Sequence, residues 1–167
     1  MRRANRVGVL SAAVLLAVPI AFAQSPGAIV RDVRTAIACT TWPCTPKQDL
    51  AAGESLLNEY RAAHGTTSEA VEALSWLGRA ALGGKQLDKA FQYASETYEL
   101  SATALTHTKL EEDVRLETAL GAAIEVQAQV RSERGQRSDA VYTVGQQMFD
   151  DLKVRYGVEP KISATPQ

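Results

Sequence analysis

The stretch SEAVEALSWLGRAALGGKQLDKAFQYASETYEL, residues 68–100, holds two apolar helical patterns separated by two glycines. In the first pattern apolar residues recur at steps of four, three and four, which mark one face of a helix. The second pattern keeps the same kind of step as far as Leu105. The two stripes consist of Ala70, Leu74, Leu77 and Ala81, and of Leu87, Phe91, Ala94, Tyr98, Ala102 and Leu105.

The break between the two patterns predicts how the helices are arranged. Gly83 and Gly84 stand where a helix ends, and glycine is the residue that most readily takes the left-handed backbone found at such ends. The second pattern starts at Leu87, only a few residues later. Because so short a connection leaves no room for another course, we expect the two helices to run antiparallel and face each other.

Residues 68–100 resemble one copy of the 34-residue tetratricopeptide repeat. Leu77 and Gly78 fall on the Leu-Gly pair of the first helix, Ala90 falls on the small residue where the helices cross, and Tyr93 falls beside the usual aromatic position. The motif needs Gly78 and Ala90 because two helix backbones approach closely there. The chain departs from the motif at Leu74, which replaces the aromatic residue of the first helix.

The N-terminus has the pattern of a secretory signal peptide. Arg2, Arg3 and Arg6 precede an apolar run over residues 7–20, and an Ala-x-Ala pattern ends at Ala23. The apolar run is shorter than the roughly 20 residues of a membrane-spanning helix. We therefore predict a signal peptide over residues 1–23, cleavage after Ala23, a periplasmic or secreted protein, and no membrane span after cleavage.

Composition and charge narrow the class of protein. Removal of residues 1–23 leaves 167 − 23 = 144 residues with 18 − 3 = 15 basic and 19 acidic side chains, a net charge of −4. That sign, without any run of lysine or arginine, argues against a nucleic-acid partner. Strand patterns are nearly absent, so we predict one all-α domain over residues 24–158, followed by a disordered tail over residues 159–167.

Two helical patterns precede the central stretch. Residues 28–38 and 48–63 each read as a helix, and Pro43 and Pro46 interrupt the chain between them. Gly53 occupies the place that Ala90 occupies in the central unit, which makes these helices a first, degenerate repeat. Thr66 with Glu69 predicts a capping box for the central helix.

Two further helical patterns follow. Thr108 with Glu111 predicts a second capping box, and a long helix runs from there to Gly135. Ser138 is placed to cap a last helix that ends before Gly157. With these units the resemblance implies antiparallel helix pairs stacked as a short tetratricopeptide-like α-solenoid of about two and a half to three repeats. So few repeats must either have their ends covered by the outer helices or pair with another molecule. A homodimer is therefore one of the alternatives.

Few residues point to chemistry. Cys39 and Cys44 are the only cysteines, and in an oxidising compartment we expect them to form a disulfide. The alternative is a redox-active pair, although four residues separate them where a thioredoxin motif has two. His64 and His107 have no partner at metal-ligand spacing. We expect no catalytic site, no metal and no cofactor.

A wider resemblance covers about two thirds of the chain. The segments RAAHG, EALSWLGRAAL, KQLDKA and ALGAAIEVQAQV are similar to helical N-terminal regions of exported bacterial thioredoxin-like proteins of the TlpA type. The chain stops where the thioredoxin domain of those proteins would begin, so the resemblance does not extend to reductase activity.

These patterns predict a protein that binds a partner protein or peptide rather than an enzyme. The resemblance implies binding on the concave face, which is lined by the first helix of each pair. Arg79 would take a carboxylate there, unless it forms an intramolecular pair with Glu72 or Glu125. The alternative function is an accessory of a periplasmic thiol-disulfide system that uses Cys39 and Cys44. The predicted partner-binding residues are Glu72, Ser75, Arg79, Leu82, Glu125, Gln129 and Glu133.

Overall fold

The computed structural model describes residues 27–37 and 49–136, together with the single positions 145, 146, 148, 150, 153 and 154. Over the two continuous ranges the chain forms five α-helices and a short 3-10 turn, and no described residue belongs to a strand. The helices are α1 (Ala28–Ala36), α2 (Leu50–His64), α3 (Ser68–Gly83), α4 (Leu87–Ala104) and α5 (Val114–Glu133), with the 3-10 turn at Leu110–Glu112. The all-α prediction is confirmed.

Helix α3 lies at the centre of the fold, since it packs against α1, α2, α4 and α5. Its alanines explain how one helix accommodates four neighbours. Ala70, Ala73, Ala80 and Ala81 are completely buried, and their short side chains let the neighbouring helices approach closely. Helix α3, which is the first half of the stretch at residues 68–100, is therefore the packing centre of the described helices.

The remaining contacts order the helices in two rows. Helix α1 packs on α2 and α3, and α5 packs on α3 and α4. We call α1, α3 and α5 the inner row, and α2 and α4 the outer row. Three residues, Gly84, Lys85 and Gln86, connect α3 to α4, so α4 folds back along α3 as predicted.

Two glycines lie at close approaches of the helices. A Cβ atom added to Gly53 of α2 would lie 2.7 Å from Cγ2 of Ile37 and 2.9 Å from Cδ2 of Leu77, which is closer than real Cβ contacts. A Cβ atom at Gly78 would lie 3.6 Å from Cβ of Tyr93 and 3.7 Å from the backbone nitrogen of Ala94. Both glycines face a neighbouring helix, but only Gly53 lacks space for an ordinary side chain.

The turn after α3 differs from the prediction. Gly84 has an ordinary φ of −80°, and the left-handed residue is Lys85, with a φ of 58°. The amides of Lys85 and Gln86 donate to the carbonyls of Leu82 and Ala81, which is the Schellman pattern of helix ends. The pattern places its left-handed residue one position beyond Gly84, and that position holds a lysine.

Both predicted capping boxes are wrong in position. Helix α3 is capped by Thr67, not Thr66, and its hydroxyl accepts from the amide of Ala70 at 3.3 Å. Helix α5 is capped by Asp113 rather than Thr108, and Oδ1 of Asp113 accepts from the amides of Arg115 and Leu116. The 3-10 turn at Leu110–Glu112 occupies the residues that the Thr108 box would have placed in the helix.

Several predictions concern residues outside the described ranges. These are the signal peptide at residues 1–23 with its cleavage site, the pair Cys39 and Cys44, the Ser138 cap, and the tail at residues 159–167. The described positions between 145 and 154 are helical, and the Tyr98 hydroxyl donates to the Met148 carbonyl at 3.1 Å. None of the described helices combines the length and the apolar character needed to cross a membrane.

Candidate functional site

Two of the seven residues predicted to bind a partner are buried. Ser75 is 2% exposed and Leu82 is 4% exposed, so neither side chain reaches a partner at the surface. The Ser75 hydroxyl donates to the carbonyl of Glu72 at 2.7 Å, within its own helix. Both residues therefore lie inside the helical packing, whereas the prediction places them on an open concave face.

The other five predicted residues contact other side chains of the chain itself, along the junction between α3 and α5. We call this junction the α3–α5 seam. Three of the ion pairs that cross it involve predicted residues: Glu72 with Arg115 at 2.5 Å, Arg79 with Glu125 at 3.3 Å and Lys85 with Glu133 at 2.6 Å. Gln129 donates to the Oε1 atom of Glu125 at 3.3 Å.

The order of these pairs shows that α3 and α5 run in parallel, since both residue numbers rise together from pair to pair. Ion pairs therefore connect α3 to α5 along the length of the seam. Of the two alternatives for Arg79, a partner carboxylate and an intramolecular pair, the structure contains the intramolecular pair with Glu125.

Arg115 is a residue that the sequence analysis missed. Its Nη1 atom contacts Oε2 of Glu72, and its Nε atom lies 3.7 Å from Oε1 of Glu69. Its guanidinium also lies over Gly27, where an added Cβ atom would be 2.7 Å from Nη2. Gly27 precedes α1 with a left-handed φ of 83°. Arg115 thus joins all three inner helices at one end, which no local sequence pattern could reveal.

A cavity of about 400 Å³ opens at this end of the inner row. Helix α1 and its N-cap provide most of the wall, α3 contributes Glu72, and α5 contributes Arg115. The lining holds three guanidinium groups and one carboxylate. We call this cavity the α1 groove; its lining residues are Gly27, Val30, Arg31, Arg34, Thr35, Glu72 and Arg115.

Arg34 connects the α1 groove to an aromatic stack. Its Cζ atom lies 4.2 Å from the ring centroid of Trp76, and the Cζ atom of Arg79 lies 5.0 Å from the same centroid. Contacts at these distances are cation–π interactions, which restrain the orientation of a guanidinium. Trp76 is 8% exposed, and its Nε1 atom makes no hydrogen bond with any residue that the structure describes. The stack therefore holds Arg34 at the wall of the groove.

The part of the chain that the structure describes has few other side chains that could form a metal site or a catalytic site. Within residues 27–37 and 49–136 and the single positions beyond them, no three His, Cys, Asp or Glu side chains form a group that could hold a metal ion. His64 and His107 are exposed, as are Glu111 and Glu112 at the 3-10 turn. The α1 groove is consequently the candidate site.

Comparisons of the chain with protein-family models, with curated proteins and with solved structures find no match. The resemblances to the tetratricopeptide repeat and to exported thioredoxin-like proteins thus rest on the sequence motifs alone.

Proposed function

We propose that this chain is an exported binding protein that takes a partner protein or peptide on its inner row of helices. The export part of the proposal rests on the signal-peptide pattern of residues 1–23. The binding part rests on the α1 groove, which is the observation that carries the proposal. It is a concave opening to which all three inner helices or their caps contribute side chains.

The helix order supports a tetratricopeptide-like arrangement as part of this proposal. In such repeats each helix packs on the next, and the first helices of successive pairs also pack on one another. The contacts of α1 with α2 and α3, of α3 with α4 and α5, and of α2 with α3 and α4 with α5 follow that order. The inner row then corresponds to the concave face.

The proposed site is the α1 groove and not the surface around Arg79 that the sequence predicts, because the Arg79 side chain is already paired across the α3–α5 seam. At the Arg79–Glu125 and Lys85–Glu133 pairs of the α3–α5 seam, which do not line the α1 groove, a ligand would have to break an ion pair before it gained a contact. At the α1 groove, Arg31 is 74% exposed and pairs only with its chain neighbour Asp32 among the described residues. Exposed pairs of this kind are worth about 0–1 kcal/mol, so a ligand displaces them easily.

Site-directed photo-crosslinking tests the proposal. A photo-reactive phenylalanine analogue replaces Thr35, which is exposed and lines the α1 groove, or Gln92, which is exposed on the outer helix α4. We expect discrete adducts in the exported fraction from position 35 and none from position 92. Arg34→Glu, introduced together with the probe, should remove the adducts. Equal adducts from both positions, or adducts that Arg34→Glu leaves unchanged, would overturn the proposal.

A further inference from the structure

We infer that the α1 groove recognises a small zwitterion, namely a free amino acid or a short peptide whose ammonium and carboxylate ends are both free. This inference rests on the proposed function, because it specifies the ligand of the same groove. It is carried by the juxtaposition of Arg34 and Arg31 with Glu72 in one cavity.

Charges of both signs line the groove. Its guanidinium groups belong to Arg31, Arg34 and Arg115, and its carboxylate belongs to Glu72. Arg31 pairs with Asp32, and Arg115 pairs with Glu72 and lies 3.7 Å from Glu69. A ligand with a positive and a negative group therefore finds an opposite charge for each of them in this groove.

The carboxylate of such a ligand has two guanidinium groups to accept from. Arg34 is restrained by Trp76, so little side-chain entropy is lost when it binds. Arg31 is exposed, and its Nε atom alone is used by Asp32 at 3.0 Å. A guanidinium has five N–H donors, and two of them can bind one carboxylate in parallel.

The ammonium group of the ligand donates to the carboxylate of Glu72. Oε2 of Glu72 accepts from Arg115 at 2.5 Å. A carboxylate has two oxygens with about four lone-pair sites, so it can accept from an ammonium group as well as from a guanidinium. The Glu72 side chain is 14% exposed, so it is partly shielded from water but still reaches the cavity that it lines. A charged hydrogen bond in that setting is stronger than one at the open surface.

The volume of the groove fits a small ligand better than a folded surface. At about 400 Å³ it lies near the lower end of the range of pockets that enclose small molecules, roughly 300–1,000 Å³. The groove therefore suits one amino acid or a few residues of peptide, and the two sources share the same pair of charged ends.

The test modifies the ligand rather than the protein. Mixtures of free amino acids, of dipeptides and of tripeptides are prepared with free ends, with an acetylated N-terminus or with an amidated C-terminus. Binding to the mature chain is measured by calorimetry and ligand-observed NMR. We expect a free-ended mixture to bind, and each modification to weaken binding about tenfold or more. The mixture that binds best distinguishes an amino acid from a peptide.

Variants then assign the two ends of the ligand. In Glu72→Gln the difference between free and acetylated ligands should disappear, and in Arg34→Gln the difference between free and amidated ligands should disappear. Glu125→Gln is the matched control, because it also removes a carboxylate from an arginine pair but does not line the groove. Circular dichroism verifies that each variant is folded.

The outcomes separate this inference from the proposed function. If acetylation leaves the affinity unchanged, the groove is a site for anions and the zwitterion is excluded. If no free-ended mixture binds at millimolar concentration, the inference is wrong; adducts from position 35 that depend on Arg34 would then still support binding of a larger partner. If those adducts are also missing, both proposals fail together.

Discussion

Arg79 and Glu125, two of the residues predicted to bind a partner, bind each other, with Nη2 of Arg79 lying 3.3 Å from Oε2 of Glu125. The pair connects α3 to α5 at the middle of the seam. Its side chains are 14% and 35% exposed, so it is partly shielded from water. A ligand site would need these groups to be available, and here they hold two helices together.

Arg79→Ala should therefore reduce stability rather than partner binding. We expect a loss of about 1 kcal/mol in the free energy of unfolding, the upper end of the range for partly exposed pairs. Glu125→Gln should cost less, because Arg79 also stacks on Trp76. Urea unfolding of the two single variants and the double variant gives the coupling energy of the pair. Additive losses would show that the contact contributes nothing.

The close approach at Gly53 predicts opposite effects for two glycine-to-alanine substitutions within helices. Gly121 of α5 has no atom within 4 Å of an added Cβ, so Gly121→Ala should stabilise the protein by about 1 kcal/mol through helix propensity. Gly53→Ala would overpack Ile37 and Leu77, at a cost of about 1–3 kcal/mol that outweighs the same propensity gain. Thermal unfolding should give a higher Tm for the first variant and a lower Tm for the second. A higher Tm for both would mean that α1 shifts easily away from α2.

The left-handed lysine after α3 makes Lys85→Gly a stabilising change. A residue with a Cβ atom pays roughly 1–2 kcal/mol for this conformation, whereas glycine does not. The gain is partly offset by the greater freedom of glycine in the unfolded chain and by loss of the exposed Lys85–Glu133 pair. We expect a net increase in Tm for Lys85→Gly and none for Lys85→Ala.

A matched substitution supports or contradicts this reasoning about Lys85. Gly135 has a φ of 78° in the equivalent turn after α5, where its amide donates to Ser132. Gly135→Ala should therefore lower the Tm. If Lys85→Gly and Lys85→Ala have the same Tm, backbone strain at Lys85 is absent.

The cap of α5 predicts a large effect at Asp113 and almost none at Thr108. Oδ1 of Asp113 accepts two amide hydrogen bonds, and Oδ2 accepts from the hydroxyl of Ser68 at the start of α3. Asp113→Ala should cost about 1–2 kcal/mol, the upper part of the range for an N-cap. Thr108→Ala is the control, and denaturant unfolding measures both variants. Equal losses of unfolding free energy at the two positions would contradict Asp113 as the dominant cap and would support Thr108, the cap predicted from the sequence.

The caps also illustrate what could and could not be read from the sequence. The apolar period placed four of the five described helices within about two residues of their observed limits, because a 3.6-residue repeat survives in any amphipathic helix. The exception is α5, which begins at Val114, well after the predicted cap at Thr108. Asp113 could not be separated from Thr108, since both precede an apolar run and a tertiary contact with Ser68 favours Asp113.

The candidate site was harder to predict than the fold. Periodicity assigned Ser75 and Leu82 to a face of α3 but could not reveal that neighbouring helices cover that face. Likewise, the pairing of Arg115 with Glu72 joins residues 43 positions apart and depends on how α3 and α5 lie side by side. The sequence predicts which charged residues lie on the inner row of helices. It does not predict which of them pair, because the pairing depends on tertiary packing.

The contact between α3 and α4 supplies the last prediction. Ala90 is completely buried where α4 crosses α3, and an added Cβ at Gly78 would lie 3.9 Å from the Ala90 carbonyl. Ala90→Leu inserts three carbon atoms into this contact and should cost about 1–3 kcal/mol. Gln92→Leu on the exposed side of α4 adds apolar surface without a clash and should leave the Tm nearly unchanged.

The position of Gly78 makes the Ala90→Leu experiment decisive. An overpacked contact is often relieved by a smaller residue opposite, but the residue opposite Ala90 is already glycine, so no truncation there can restore the space. Gly78→Ala should be tolerated, because its added Cβ meets Tyr93 at the ordinary contact distance of 3.6 Å. Thermal unfolding followed by circular dichroism compares the three variants. If Ala90→Leu melts at the same temperature as Gln92→Leu, then α3 and α4 do not pair through these residues.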